Sequence, residues 1–188
     1  MIKMNEVLIQ AKKQKKFHII KSIFDLKKLI GDLPSETECY KFFSFSRLAS
    51  ISFIMFVAET EVIEHLYVST LRVGKRQLMM LDYLKREGKL LAATLLTGGI
   101  MERDNAVGKK YGYYDNLLSV CEANGWRRET VNNHSKLVLM KTAEGNYYVL
   151  ETSSNLNENP NMEQFSFEND RELFEFYKKV FDEIIGED

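Results

Sequence analysis

The stretch HSKLVLMKTAEGNYYVLETSSNLNENPNME, residues 134 to 163, decides how the chain is read. One apolar run opens at His134-Ser135-Lys136, and a second, Asn146 to Leu150, leads into Glu151-Thr152-Ser153-Ser154-Asn155. Ala143-Glu144-Gly145 lies between them, which predicts a β-hairpin. In an extended segment residues i and i+2 share a face, so His134 projects with Lys136, and Ser153 with Asn155 if the strand continues that far. A closed hairpin then brings an imidazole, an ammonium, a hydroxyl and a carboxamide to one spot.

That mixture suits a phosphodiester. Lys136 supplies a point charge, while Ser153 and Asn155 supply neutral donors to the non-bridging oxygens on which charge builds as phosphorus is attacked. His134 is suited to act as nucleophile or proton carrier, because an imidazole titrates near neutrality. Glu163 is placed by the sequence to accept from the other imidazole nitrogen and fix its tautomer. The chemistry needs no metal and no cofactor. A lone histidine in a strand is more often a surface residue, and Ser-Asn clusters after a strand are more often turns. The reading rests on the ordered combination over one hairpin.

H-S-K, then T-S-S-N-L, then N-M-E resembles the phospholipase D superfamily signature, H-x-K-x4-D-x6-G-S-x-N with a downstream Glu. The resemblance covers Tyr40 to about Phe167 and aligns His134 with the nucleophilic or acid histidine and Lys136 with the phosphate-binding lysine. It aligns Ser153 and Asn155 with the G-S-x-N pair and Glu163 with the histidine-orienting glutamate. Two positions depart from the pattern: Lys141 stands where the Asp is expected and Thr152 where the Gly is. The spacing from Lys136 to Ser153 is also longer, which a longer turn absorbs. The resemblance implies a phospholipase D-like layered α/β domain, a mixed β-sheet flanked by helices. It also implies phosphodiester hydrolysis through a phosphohistidine. The family builds its site from two such motifs and this chain has one H-x-K, so the implied partner is a second copy of the chain in an isologous homodimer. One-motif relatives include metal-independent nucleases, which makes nucleic acid the expected substrate; no amphipathic interfacial segment argues for lipid. The alternative is a module that has lost turnover and keeps phosphate or nucleic-acid recognition. Tyr111, Tyr113, Tyr114, Trp126, Arg127 and Arg128 would then serve by stacking and charge.

Composition agrees with a globular domain. The 188 residues suffice for one sizeable core, and 45% hydrophobic with 28% charged residues is ordinary for such a protein. Cys39 and Cys121 lack a metal spacing and read as buried apolar side chains in a reducing interior, with a disulfide between them as the alternative. No signal-like or membrane-spanning run is legible, so the expected location is the cytoplasm. The net charge of −1 is unevenly spread: eleven acidic and three basic residues follow Leu150, leaving a basic body suited to a polyanion.

Along the chain, residues 1–35 read as a basic helical extension and 36–188 as the α/β domain. Within the extension, Asn5 to Lys16 reads as a polar helix, and Phe17 to Ile30 as an amphipathic helix or a strand followed by one. Glu38 to Ser44 reads as a strand; Ser46 as the N-cap of a buried helix, Arg47 to Glu59; His65 to Thr70 as a strand; and Lys75 to Glu87 as a helix stopped by Gly88. Leu90 to Leu96 is a buried strand, Met101 to Lys110 a polar loop, and Tyr111 to Asn124 a helix closed by Gly125. Trp126 to Val131 adds a strand. Arg171 to Ile185 is a final helix with Leu173, Phe174, Phe176, Tyr177, Val180 and Phe181 inward. Ligands of open α/β sheets sit beyond the carboxyl ends of strands. There Arg72 and Lys75 would meet phosphate beside a helix N-terminus, and Thr97-Gly98-Gly99 would allow close backbone approach.

Overall fold

The computed structural model describes residues 13–20, 30–45, 48–108, 113–157 and 161–186. Eight strands form one mixed sheet: β1 (Gln14–Ile20), β2 (Glu38–Ser44), β3 (Ile63–Thr70), β4 (Leu90–Gly98), β5 (Arg127–Val131), β6 (Leu137–Thr142), β7 (Tyr147–Thr152) and β8 (Glu163–Asn169). Their spatial order is β1-β2-β8-β7-β6-β3-β4-β5. β3, β4 and β5 run parallel, β1 runs parallel to β2, and the strands from β2 through β8, β7 and β6 to β3 alternate in direction. Among the described residues five complete helices flank it: α1 (Ser50–Thr60), α2 (Lys75–Arg86), α3 (Ile100–Ala106), α4 (Tyr114–Asn124) and α5 (Arg171–Ile185). None of the described helices is long and apolar enough to cross a membrane.

The larger core lies between the sheet and α1, α2 and α4. Helix α1 is apolar around most of its circumference because it is enclosed. Its Phe53 is fully buried and meets the rings of Phe42, Phe165 and Phe167 at 5.4, 5.1 and 5.3 Å. Burying each such ring contributes about 1.5–3 kcal/mol. On the opposite face α5 packs with Phe174 and Phe181 against Tyr67, Leu139 and Val149. Phe176 and Val180, expected inward, face solvent, because the buried stripe follows Phe174, Tyr177 and Phe181.

Several other readings are corrected. Residues 14 to 16, expected in a polar helix, belong to β1, and the following Phe17-His18-Ile19-Ile20 takes the strand alternative. Their period-two pattern wins once β2 offers a pairing edge, and Lys13 fastens the start of the strand through Glu168 and Asp170 at 3.0 and 2.7 Å. The rest of the expected N-terminal helices, residues 1–12 and 21–29, lies outside the described residues, as do Ser46 and Arg47. Helix α1 starts at Ser50 with Ala49 as its N-cap. Met101 to Ala106 is helical rather than loop, because Asp104 turns inward to pair with Arg72 at 2.7 Å. Strand β8 went unread, although Phe165 and Phe167 alternate with Gln164 and Ser166. The hairpin of β6 and β7 closes through Thr142 to Asn146 as expected, with Gly145 at φ +88°. Both cysteines are free and buried.

Candidate active site

His134 lies in the extended lead-in to β6, at the same end of the sheet as the exit of β7 and the entry of β8. The Lys136 ammonium folds back to lie 3.0 Å from His134 Nδ1 and 2.5 Å from the His134 carbonyl, so the pair shares a side as the period of two predicts. The Thr152 N–H donates to the Lys136 carbonyl at 3.3 Å, which sets the Ser153 turn beside Lys136. The Ser153 N–H donates to the Gln164 carbonyl at 3.1 Å, and the Ser153 hydroxyl accepts from the Gln164 N–H at 3.0 Å and donates to Glu163. Glu163 is only 6% exposed. Burial pushes the Lys136 pKa below the ordinary lysine range, and the nearby Glu163 carboxylate pulls it back. Four of the five expected residues, His134, Lys136, Ser153 and Glu163, therefore meet at one end of three adjacent strands.

Asn155 is reached differently. β7 ends at Thr152, so the chain turns before Asn155 and the period of two does not carry it to the face of Ser153. Its Oδ1 lies 3.3 Å from the Thr70 hydroxyl, which is also 2.9 Å from the Arg72 carbonyl and accepts the Leu156 N–H at 3.2 Å. Ser50, in the first turn of α1, donates to the Ser154 carbonyl at 3.0 Å and fixes the same turn from below. Of the outer anion-binding pair, Arg72 is engaged by Asp104, and Lys75 is exposed at the start of α2.

Sequence reasoning missed Asn133. Its carboxamide nitrogen donates to Ser69 Oγ at 2.8 Å and to the Leu96 carbonyl at 3.1 Å, while its oxygen accepts from the Ser135 N–H and hydroxyl, each at 2.8 Å. The residue before His134 is thus tied to the carboxyl ends of β3 and β4. Its only sequence trace is an Asn-Asn pair, which reads as turn chemistry. Lys141, at the motif's Asp position, sits near the far end of β6 and pairs with Glu64 at 2.7 Å, away from His134. Among the aromatic and basic residues named for binding, Trp126 is core, Arg127 donates to the Ile185 and Gly186 carbonyls at 2.8 Å, and Arg128 covers the Tyr114 ring. Tyr111 lies outside the described residues. Among the described residues no group of three His, Cys, Asp or Glu is placed to hold a metal ion.

By sequence, no family model and no curated protein matches the chain. By structure it resembles polyphosphate kinase from Porphyromonas gingivalis, with a TM-score of 0.57 at 13% identity, over 89% of this chain and 29% of that one. It also resembles Nuc, a phospholipase D family member from Salmonella typhimurium, with a TM-score of 0.55 at 12% identity, over 78% of this chain and 92% of that one. The chain thus spans under a third of the kinase and nearly all of Nuc. With a mixed eight-stranded sheet between two helical layers, it has the phospholipase D-like fold.

Proposed function

We propose that this chain is a phospholipase D-like phosphodiesterase, a metal-independent nuclease whose site is completed by a second copy of the chain. The observation that carries this reading is the meeting of His134, Lys136, Ser153 and Glu163 at one end of β6, β7 and β8, in the order of the superfamily motif. In the resting arrangement the Lys136 ammonium donates to His134 Nδ1, which leaves the imidazole proton on Nε2. An incoming phosphate draws the ammonium onto its non-bridging oxygens. Nδ1 then takes a proton from water as Nε2 returns one to it, and Nε2 gains the lone pair that attack requires.

His134 Nε2 bonds to phosphorus as the bond to the leaving oxygen breaks, and the second copy's His134 protonates that oxygen. The same imidazole next takes a proton from water, whose oxygen bonds to phosphorus as the phosphorus–nitrogen bond breaks. As phosphate enters, the Ser153 hydroxyl turns from Glu163 onto a non-bridging oxygen, Glu163 balances the cations, and the Asn155 carboxamide, whose oxygen Thr70 holds, donates through its nitrogen from its turn. A two-fold axis places the two imidazoles face to face. Nucleic acid is the proposed substrate, supported by the basic balance of the chain before Glu151. A reducing compartment such as the cytoplasm suits the two free thiols.

The internal engagement of Ser153 by Glu163 and of Asn155 by Thr70 favours a second reading, a binding module that recognises phosphate without turnover. Single- and double-stranded DNA incubated with the protein in EDTA separates the two. Cleavage that His134→Ala lacks supports the enzyme. Salt-sensitive binding with no cleavage supports the module. Sedimentation as a strict monomer under cleaving conditions would sink the two-copy mechanism.

A further inference from the structure

Beside the site lies a groove that the His134 chemistry does not use. Its volume is about 710 Å³, and Lys75, Met79, Met80, Tyr83, Tyr113 and Asn157 are among its lining residues. A smaller extension of about 340 Å³ shares Gly74, Tyr113 and Asn157 with it and reaches Arg72. The groove adjoins the turn that carries Asn155 in two places. Asn157 follows Asn155 by two residues, and the Arg72 carbonyl lies 2.9 Å from the Thr70 hydroxyl that Asn155 also approaches. At Gly74 an added Cβ would lie 2.6 Å from the Gln77 side-chain oxygen and 3.6 Å from Asn157 Cβ, so the backbone there runs close to both side chains.

We infer that this groove binds the unpaired nucleotide that flanks the scissile phosphate of a single-stranded polynucleotide. The inference rests on the phosphodiesterase reading above. Two features set the occupant. Tyr83 is 49% exposed and Met79 60% exposed, and with Tyr113 and Met80 they offer ring faces and polarisable sulfur to a flat apolar group. Lys75, exposed at the start of α2, supplies positive charge, and no Asp or Glu is among the described residues that line the groove or its extension. An aromatic wall beside a cation fits a base with its phosphate. A paired base in a duplex keeps its faces stacked on its neighbours, so the groove selects single strands.

The test compares an unstructured oligothymidylate with methyl p-nitrophenyl phosphate, a diester short enough to occupy the His134 site alone. The variants are Tyr113→Ala, Tyr83→Ala and Tyr113→Phe. The alanine variants are expected to raise the oligonucleotide KM roughly tenfold each, the loss of one stacked base, and to leave turnover of the small diester within about twofold. Tyr113→Phe, which keeps the ring, is expected to restore the oligonucleotide KM and shows that the alanine effect is not misfolding. Anisotropy with a labelled oligonucleotide on the His134→Ala background reads the same loss without turnover. If the protein cleaves both substrates and the alanine variants lose nothing on the oligonucleotide, the groove assignment fails and the phosphodiesterase reading stands. If duplex competes as well as single strand, the selectivity fails. If the wild-type protein neither cleaves nor binds either substrate, both readings fail together.

Discussion

Gly98 and Gly99 are adjacent, and the structure predicts opposite results for the same substitution at each. A Cβ on Gly98 would lie 2.7 Å from Leu71 Cδ1, 2.9 Å from the Leu71 carbonyl oxygen and 3.0 Å from the Asn133 carbonyl oxygen. Two of these three are backbone atoms, so relief requires moving the exit of β3 away from the segment that carries His134. Carbon–oxygen contacts normally begin several tenths of an ångström farther out, and overpacking of this kind costs about 1–3 kcal/mol. A Cβ on Gly99 meets nothing nearer than 4.0 Å, and Gly99 already has helical dihedrals at φ −58°. Gly99→Ala should therefore be neutral or stabilise by about 0.4–1 kcal/mol through the unfolded chain. For a chain of this length 1 kcal/mol moves Tm by roughly 2–4 °C, so Gly98→Ala is expected to melt about 2–12 °C below wild type and Gly99→Ala at or slightly above it. Because the Gly98 clash bears on the Asn133 carbonyl, cleavage should fall with Gly98→Ala even at temperatures where the fold is intact. Circular dichroism melts with activity at 20 °C check both halves. Equal Tm values for the two variants would refute the claim that β3, β4 and the His134 segment are held at backbone contact.

Asn133→Ala removes the donor to Ser69 and Leu96 and the acceptor for Ser135, leaving partly buried groups unpaired; a loss of about 1–3 kcal/mol in urea denaturation is expected, with a lower kcat and an unchanged fold. Lys141→Asp restores the motif's Asp but faces Glu64, so it should cost up to about 1 kcal/mol and leave cleavage unchanged; a gain in kcat would show that this end of β6 reaches the site. Glu38 is held at a pKa of about 2, first by the Lys16 ammonium and then by the Ser35 N–H, against an ordinary 4.5. Its stabilising effect is thus complete above about pH 4.5 and disappears as pH falls towards about 2. Glu38→Gln should flatten that part of the acid limb of a Tm–pH curve, and an unaltered limb would mean that β1 does not pair with β2 in solution.

The local elements and the motif were legible without any knowledge of distant contacts. Glu38 to Ser44, the hairpin around Gly145 and the helix from Arg171 were legible because each is governed by short-range periodicity and turn chemistry. The H-S-K and T-S-S-N runs were legible because their chemistry is unusual in combination. Tertiary structure decided what depends on partners distant in sequence. Gln14 to Lys16 became strand because β2 offered an edge, Met101 to Ala106 became helix because Arg72 drew Asp104 inward, and β8 was recruited between β2 and β7. The turn that carries Asn155 is held by Thr70, 85 residues away, and Asn133 acquired its hydrogen bonds only from the ends of β3 and β4. Periodicity records which side of an element is apolar. It cannot record which hydrogen-bond donor arrives from elsewhere in the chain, and around His134 those donors and acceptors arrive from β3, β4 and the turn after β7.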